Sequence, residues 1–572
     1  MGTEESRHDG GPGRDDDHVA PSPGAEPDIL SQDSFTRRRL MLGAGTAGLG
    51  LAASGLLAAC GGGSSSTSSA AAGTATAAAA GGGPPPRTPG KGGTLRVGYI
   101  GNGTSETFDP ALGNTPVDSF RGYCVYDPLM RVGADHKLEP GLATDWQPNA
   151  DATVWEMRLR DGVTWHDGKP FTADDVIYTL RTLGRPEHLG HYAGQNIRLA
   201  ELKKLSDTLV RVPLKRPIGQ LQQYFGYFNA AIVVQDGAKN FNKPVGTGPY
   251  KLETFTPGTR TTFTANRDYW DSPKPYPDRL ELLDIDDDTA RLNALLSGQI
   301  DICGLLNSTQ ARAGLHGSQY EVLVGAYGLS ACFNMRVDQA PFNDVKVRQA
   351  MKLLADRQGL INAALNGFGE IMNDLAGKDF PHYNDSLPQR QHDVEQAKSL
   401  LKAAGQSDLR FTLTSTDAGL GQLQAAQAYI QQVKSAGISG AQLKVVPPAN
   451  YYNPNLLFTK MTFAQNIWAI GSLQAFYAQA LVTGAPLHET HWQSPSFDAL
   501  YYKAIGETDP TKSKQYWDQL QKIQWDQGGY IFWGLIHNLD GLSKRVAGVG
   551  GPGVGWAYPT GDQRVWDWGL IS

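Results

Sequence analysis

Apolar and polar residues alternate in several short segments after residue 90, and each alternation predicts a strand with one buried face. The two clearest segments cover residues 94–100 and 153–160. Their apolar members are Leu95, Val97, Tyr99, Trp155, Met157 and Leu159. We expect these residues to face the protein core.

Helical spacing is found in three other segments. Thr172 begins a capping box that ends at Asp175, which predicts the start of a helix. The apolar residues of this helix and of two later ones are Val176, Leu180, Leu183, Val347, Ala350, Met351, Leu354, Ala397, Leu400, Leu401 and Ala404. Gly405 closes the third helix. Strands mixed with helices over about 480 residues, without internal repeats, predict an α/β protein of two or more lobes.

Composition and charge narrow the classes of partner. The chain has 572 residues, of which 40% are hydrophobic and 19% are charged, so it can bury large cores. Residues 1–59 carry nine acids and five bases, which leaves 48 acids, 46 bases and a net charge of −2 for the rest. A nearly neutral body argues against a nucleic-acid partner and against a polybasic membrane patch.

The N-terminal part has the pattern of an export signal followed by a tether. Arg37 and Arg38 precede a moderately apolar stretch rich in Gly and Ala, which favours a twin-arginine signal. The stretch ends at Cys60 in a sequence that resembles a bacterial lipobox. We therefore predict a signal peptide over residues 1–59, lipidation of Cys60 and a flexible tether over residues 60–90. The alternative is an N-terminal membrane helix with an incidental cysteine.

Longer motifs carry more specific information than periodicity. They are LATDW (142–146), RLRDGVTWHDGKP (158–170), TADDV (172–176), PVGTGPY (244–250), NRDYW (266–270), LLSGQIDI (295–302), PFNDVKVRQA (341–350) and HWQSPSFD (491–498). In this order they resemble the family 5 extracellular solute-binding proteins, which are the oligopeptide, dipeptide and nickel receptors of ABC importers. The resemblance runs from about Leu95 to Asp498.

The resemblance implies an α/β fold of two lobes that close over a ligand by a hinge, of the periplasmic-binding-protein class II type with an extra subdomain. It places lobe I at residues 91–315, its extra subdomain at about 122–240, lobe II at residues 316–527, and a return to lobe I at 528–572. It also implies a monomer that delivers a small-molecule ligand to ABC permease and ATPase subunits. With the lipid anchor, the expected location is the outer face of the cytoplasmic membrane.

The resemblance also suggests which residues contact the ligand. In the oligopeptide receptors, a Trp is followed three residues later by an Asp that pairs with the terminal ammonium of the peptide. Here the Trp is Trp468, and the position of the Asp is occupied by Gly471. No Asp or Glu occurs between residues 461 and 487, and a desolvated ammonium group needs a counter-charge.

We therefore expect a ligand that is neutral, anionic or blocked at that end. The predicted contacts are Trp468, Gly471, Gln474 and Tyr477, which supply stacking and hydrogen bonds. The alternative is that the alignment is shifted, or that another loop supplies an acid. Peptide remains the default ligand class. An oligosaccharide, an opine or a metal chelate are the alternatives, as is a ligand-gated sensor in place of a transport component.

Catalytic and metal-binding patterns are weak, so we expect no enzyme activity, no cofactor and no protein-held metal. The segment 488–491 (HETH) is one residue short of the zincin spacing, and the family comparison places it in a surface loop. Ser399 and Lys402 have SxxK spacing but belong to a predicted helix. His166 and its neighbours are expected to form a turn. The sequence leaves open whether Cys303 and Cys332 form a disulfide.

Overall fold

The computed structural model describes residues 87–571, except for 102, 114, 134–136, 227, 316, 379, 452–459, 486 and 550–563. The predicted signal peptide with Arg37 and Arg38, the predicted lipidation site Cys60 and most of the predicted tether lie outside the described residues. Within them, the predicted two-lobed α/β fold is confirmed.

The strands, in chain order, are β1 Thr94–Tyr99, β2 Met130–Val132, β3 Leu138–Pro140, β4 Ala143–Pro148, β5 Val154–Leu159, β6 Lys203–Ser206, β7 Leu209–Pro213, β8 Tyr250–Thr256, β9 Arg260–Ala265, β10 Arg279–Asp284, β11 Ile302–Cys303, β12 Tyr320–Met335, β13 Gly369–Ile371, β14 Arg410–Ser415, β15 Gly440–Val445, β16 Phe463–Trp468, β17 Tyr530–Ser543, β18 Val546–Ala547 and β19 Gly569–Leu570.

The α-helices are α1 Pro116–Val125, α2 Ala173–Thr182, α3 His191–Gly194, α4 Phe228–Ala231, α5 Asp288–Leu296, α6 Ser308–Ala313, α7 Val345–Leu353, α8 Arg357–Leu365, α9 Val394–Ala403, α10 Gln422–Ser435, α11 Pro448–Tyr451, α12 Leu473–Ala480, α13 Pro495–Gly506 and α14 Pro510–Gln527. Short 3-10 helices cover Gly103–Ser105, Leu199–Glu201, Leu221–Phe225 and Val565–Asp567.

The local predictions from periodicity are confirmed. The predicted strands at 94–100 and 153–160 are β1 and β5, and the three predicted helices are α2, α7 and α9. Thr172 and Asp175 form the predicted capping box. Gly405 follows α9 with a φ of +68°, a conformation that glycine adopts without strain.

One wide mixed sheet joins the two lobes. Its strand order is β15-β14-β16-β12-β17-β11-β1-β10-β9-β8, and β13 pairs with β17 beside that path. A separate four-stranded antiparallel sheet has the order β4-β5-β7-β6. The side chains on the inner face of this small sheet belong to a core of their own, together with residues of α2 and of the 3-10 helix Leu221–Phe225.

The strands β12 and β17 pass through both lobes. They pair from Tyr320 with Ser543 to Asn334 with Tyr530, and the pairing shifts register between Val324 and Gly328. On one side of this shift the two strands pack with the core of β1 and β10; on the other side they pack with the cores of α7–α14. The predicted lobe boundaries at residues 315/316 and 527/528 stay a prediction; β12 and β17 begin close to them.

The described part of the chain contains no helix that is both long and apolar enough to cross a membrane. Cys124, Cys303 and Cys332 are buried free thiols, so the disulfide that the sequence left open does not form between Cys303 and Cys332.

Candidate ligand-binding site

The carboxyl ends of two lobe II strands, β14 and β16, point toward lobe I. Trp468 pairs with Ser330 and Phe463 pairs with Met335, so β16 runs toward the register shift in β12. The strand β14 is parallel to β16 and ends on the same side. In α/β proteins, ligands bind outside the carboxyl ends of parallel strands.

The carboxyl ends of three lobe I strands, β1, β10 and β11, point back toward lobe II. The strand β11 pairs antiparallel with β17, from Ile302 opposite Leu542 to Cys303 opposite Gly541, and therefore runs toward the register shift. The strands β1 and β10 are parallel to β11 and end at the same edge. The two sets of carboxyl ends thus converge where β12 and β17 cross between the lobes, and this is the candidate ligand-binding site.

Trp468 is the last residue of β16 and lies at this edge. Its side chain is mostly buried, and its indole Nε1 donates a hydrogen bond to Glu489 Oε2 at 3.2 Å. The ring packs edge-on against Phe476, with 5.1 Å between the ring centroids. The indole is therefore held by both a polar and an aromatic contact from lobe II.

Glu489 is the acid that sequence reasoning missed. It follows the acid-free interval 461–487 by two residues and is fully buried. Besides the indole, it accepts hydrogen bonds from Asn466 Nδ2 and, at 3.0 Å, from the Tyr530 hydroxyl. Burial raises the pKa of Glu489 to about 7, although these donors favour its charged form. The only sequence signal was its place in the HETH segment.

Residues 488–491 form a loop before α13, as expected, but the middle of this loop does not lie at the surface. Glu489 and Thr490 are buried, because the Glu489 side chain turns into the core and Val337 N donates to Thr490 O at 2.9 Å. The rings of His488 and His491 stack at 6.0 Å. Among the described residues, no three His, Cys, Asp or Glu side chains are grouped so that they could hold a metal ion.

Gly471 lies in the bend between β16 and α12 and is partly exposed. Ser472 caps α12 by accepting a hydrogen bond from Ala475 N, so the cap fixes the end of this bend. The bend is short and lies directly at the carboxyl end of β16. Ligand contact by Gly471 stays a prediction.

Gln474 and Tyr477 lie on α12 and are buried. The Tyr477 hydroxyl donates to Gln524 Oε1 at 2.5 Å, and its ring stacks on Phe497 at 5.8 Å. Its ring and hydroxyl are therefore engaged inside lobe II. The Gln474 amide instead reaches lobe I, where its Nε2 lies 3.5 Å from Gln220 Oε1. The predicted ligand contacts of both residues stay untested.

The Gln220 contact belongs to a larger junction between the small-sheet subdomain and lobe II. His382 Nε2 lies 2.9 Å from Gln220 Oε1. The hydroxyls of Tyr224 and Tyr501 are 3.3 Å apart, and Gly219 N donates to Ile505 O at 2.6 Å. The subdomain therefore closes against α12 and α13 beside the candidate site.

The lobe I edge of the candidate site is acidic. Arg121 lies on α1 and contacts Glu106 at 2.8 Å, Asp118 at 3.1 Å and Asp284 at 3.8 Å, and all four side chains are buried. Burial, and then the negative charge of Glu106, raise the pKa of Asp284 to about 7. Three carboxyl groups around one guanidinium thus lie near the carboxyl ends of β1 and β10.

The sequence motifs connect lobe I to its subdomain. Asp127 is fully buried and accepts hydrogen bonds from Thr247 Oγ1 at 3.0 Å, Tyr269 OH at 2.7 Å and Trp270 Nε1 at 2.9 Å. Within the HDGK motif, His166 Nε2 lies 2.9 Å from Gly248 O. The GTGPY, NRDYW and HDGK motifs are therefore structural, and His166 lies in the predicted turn.

Residues 137–486 match the bacterial extracellular solute-binding proteins, family 5 Middle, over more than half of the chain. The chain belongs to this family. The match includes β14, β16 and most of α12, and so covers the lobe II edge of the candidate site.

Three related proteins show the range of the similarity. The dipeptide-binding protein of Escherichia coli K12 is 27% identical over 339 residues, which cover 54% of this chain and 63% of that protein. The glutathione-binding protein GsiB of Salmonella typhi is 23% identical over 481 residues, which cover 80% of this chain and 92% of that protein. The structure of AgaA of A. tumefaciens R10 in complex with agropinic acid has a TM-score of 0.70 at 21% identity, over 84% of this chain and 99% of that one.

Proposed function

We propose that this protein is the solute-binding component of an ABC importer and that it delivers a small organic solute to the permease. The observation that carries the proposal is the convergence of the lobe I and lobe II carboxyl ends at the crossing of β12 and β17, in a chain of this family. Such a site admits ligand when the lobes open and encloses it when they close.

Peptide is the default ligand class, with Trp468 and Gly471 at the wall of the site. The buried Glu489 already accepts three hydrogen bonds, so it supports Trp468 from inside the lobe and does not offer a free carboxylate to a ligand. This favours a ligand without a free ammonium group next to Gly471. A non-peptide ligand, such as an opine, an oligosaccharide or a metal chelate, fits the same argument.

The proposal includes export and anchoring. A twin-arginine signal at Arg37 and Arg38, lipidation at Cys60 and the tether after it would hold the protein at the outer face of the cytoplasmic membrane. Mass spectrometry of the mature N-terminus tests this: a diacylglycerol-modified Cys60 supports the anchor, and an unprocessed N-terminus contradicts it.

The ligand itself is identified by native mass spectrometry of protein purified from its own host, followed by denaturation and analysis of what is released. Titration of a dipeptide panel against amino-terminally acetylated versions then tests the role of the missing acid. Equal or tighter binding of the acetylated peptides is expected. A strong preference for free amines would overturn the ligand argument, and turnover of a ligand would overturn the receptor function.

A further inference from the structure

A cavity of about 310 Å³ lies in the subdomain side of lobe I, apart from the residues of the candidate site. It is lined by Arg131, Glu139, Pro140, Arg160, Trp270, Asp271, Lys274, Arg564 and Trp566. The wall therefore combines four cationic side chains with two acidic side chains and two indoles. Neither the ligand argument nor the family motifs assign a role to this cavity.

Three of the four cations have carboxylate partners. Arg131 lies 2.7 Å from Asp271, and Lys274 lies 3.1 Å from the same carboxylate. Asp567 pairs with Lys274 at 2.9 Å and with Arg564 at 2.7 Å. These charges compensate one another within the wall.

Arg160 is the exception. Its Nε donates to Gly141 O at 3.2 Å, and its guanidinium lies over the Trp270 ring at 4.1 Å, but among the described residues no carboxylate lies within ion-pair distance of it. Burial, and then the positive charge of Arg131, lower the pKa of Arg160. The carboxylates of Asp271 and Asp127 offset part of this effect from a longer distance, and neither pairs with Arg160 directly.

The Arg160 guanidinium is also held in a fixed orientation. Trp270 contacts the guanidinium groups of both Arg160 and Arg131, and Arg131 lies over Trp566 at 4.1 Å. The Trp270 indole is in turn fixed by its hydrogen bond to the buried Asp127. A guanidinium held by stacking and by one backbone carbonyl keeps its two terminal nitrogens available as a paired donor.

We propose that this cavity is a second binding site, which takes a small anion through a carboxylate or phosphate group placed on the Arg160 guanidinium. The volume suits a small organic acid or a phosphate ester, and the Arg160 guanidinium supplies the positive charge that such an anion needs. Glu139 lines the exposed part of the wall and opposes an anion there. The anion is either free in solution or the phosphate of a lipid headgroup.

The first test is titration calorimetry of the full chain with inorganic phosphate and with citrate at low ionic strength. Arg160→Gln should weaken binding about tenfold or more, because it removes at least one charge-assisted hydrogen bond to the anion. Arg158→Gln, two residues away on the exposed side of β5, is the matched control and should leave the affinity unchanged. Equal binding of the phosphate and citrate probes by the native chain and by Arg160→Gln would overturn the site.

A second variant keeps the proposal testable if Arg160→Gln folds poorly. Glu139→Gln removes an exposed like charge without touching the stack, so it should tighten binding about two- to fivefold. Weaker binding by Glu139→Gln would contradict the proposal, and a response that does not depend on Arg160 or Glu139 would mark an adventitious ion only.

A third experiment distinguishes the two sources of the anion. Retention on phosphatidylglycerol vesicles is compared for the native chain, Arg160→Gln and Arg158→Gln. Retention that falls only in Arg160→Gln, without phosphate or citrate binding in solution, assigns the site to a lipid headgroup. Arg160-dependent binding of the free anions assigns it to a soluble ligand. If neither depends on Arg160, the cavity is not an anion site.

Discussion

At the scale of single residues, Glu489 is expected to make the stability of the protein depend on pH. Burial raises its pKa from 4.5 to about 7, so the folded protein keeps a proton that the unfolded chain releases between these values. The free energy of unfolding therefore falls as the pH rises from 4.5 to 7. This contribution amounts to roughly 3 kcal/mol.

The variant Glu489→Gln is neutral at every pH and lacks this contribution. Relative to the native chain, we expect the variant to be less stable near pH 5, because one of the three donors loses its acceptor, and to recover by roughly 3 kcal/mol at pH 8. Urea unfolding at both pH values measures the change. Glu395→Gln, at an exposed position of α9, is the control. A difference between native and Glu489→Gln that stays constant with pH would contradict the argument.

The contact between Glu489 and Trp468 also shows why the site could be predicted only in part. The motifs around residues 491–498 allow Trp468 to be aligned, but the hydrogen bond joins residues 21 positions apart in the chain, with α12 between them. Local spacing in HETH suggests a metal motif, whereas the fold turns Glu489 into the core and leaves His488 and His491 partly buried. A pattern of four residues does not show which of its side chains point into the core of the folded protein.

At the scale of elements, α7 holds the end of α14. Arg348 Nε donates to Gln527 O at 2.8 Å, and Lys352 Nζ donates to Trp525 O at 2.8 Å. These carbonyls belong to the last turn of α14, where cations are favourable and backbone acceptors lack helical partners. The PFNDVKVRQA motif is thus explained by the docking of one helix on another.

Replacing Arg348 by Met should destabilise the protein by about 2–4 kcal/mol, because Gln527 O and the Phe342 carbonyl, 2.7 Å from Arg348 Nη1, lose a charged donor inside the core. Lys346→Met, on the exposed face of α7, should change the stability by less than about 0.5 kcal/mol. Chemical denaturation of both variants makes the comparison. Equal effects would show that the Arg348 contacts do not stabilise the helix pair.

The register shift in β12 predicts a second effect at this scale. A Cβ atom on Gly328 would lie 1.4 Å from Ile536 O, so Gly328→Ala must push β12 and β17 apart. We expect a loss of about 3 kcal/mol. Gly534→Ala, on β17, is the matched control, since its nearest neighbour would be Ile361 Cγ1 at 3.5 Å and the change should stay within about 1 kcal/mol. Similar thermal unfolding of the two variants would contradict the account.

Periodicity predicted the short elements correctly because β1, β5 and α2 each carry a buried face within one segment. It could not predict that β12 and β17 pair along their length, since about 200 residues separate them in the chain. Every residue of β17 is buried, and such a strand lacks the alternation that marks a half-exposed strand. The two-lobed architecture was therefore predicted from the family motifs and not from the local periodicity.

At the scale of the whole molecule, the junction between the subdomain and lobe II is the contact that opening of the lobes would have to break. Gly219 lies at its centre: its N–H bonds to Ile505 O, and a Cβ atom on it would lie 2.0 Å from Glu507 O. Both neighbours are backbone atoms, so they cannot move aside as a flexible side chain can. The added Cβ atom of Gly219→Ala should therefore force the subdomain and lobe II apart.

The distance between two spin labels measures this separation, with one label on Arg158→Cys in the subdomain and one on Lys434→Cys in lobe II. The labels are placed in a Cys60→Ser background, because the other cysteines of the described residues are buried. We expect a longer label-to-label distance in Gly219→Ala than in the native chain, because the added methyl group shifts the population toward open states. Gln223→Ala, four residues away on the adjoining 3-10 helix, should leave the distance unchanged. If Gly219→Ala leaves it unchanged as well and only destabilises the fold, the junction is a fixed part of the structure, and opening must occur between β1, β10 and β11 on one side and α12 on the other.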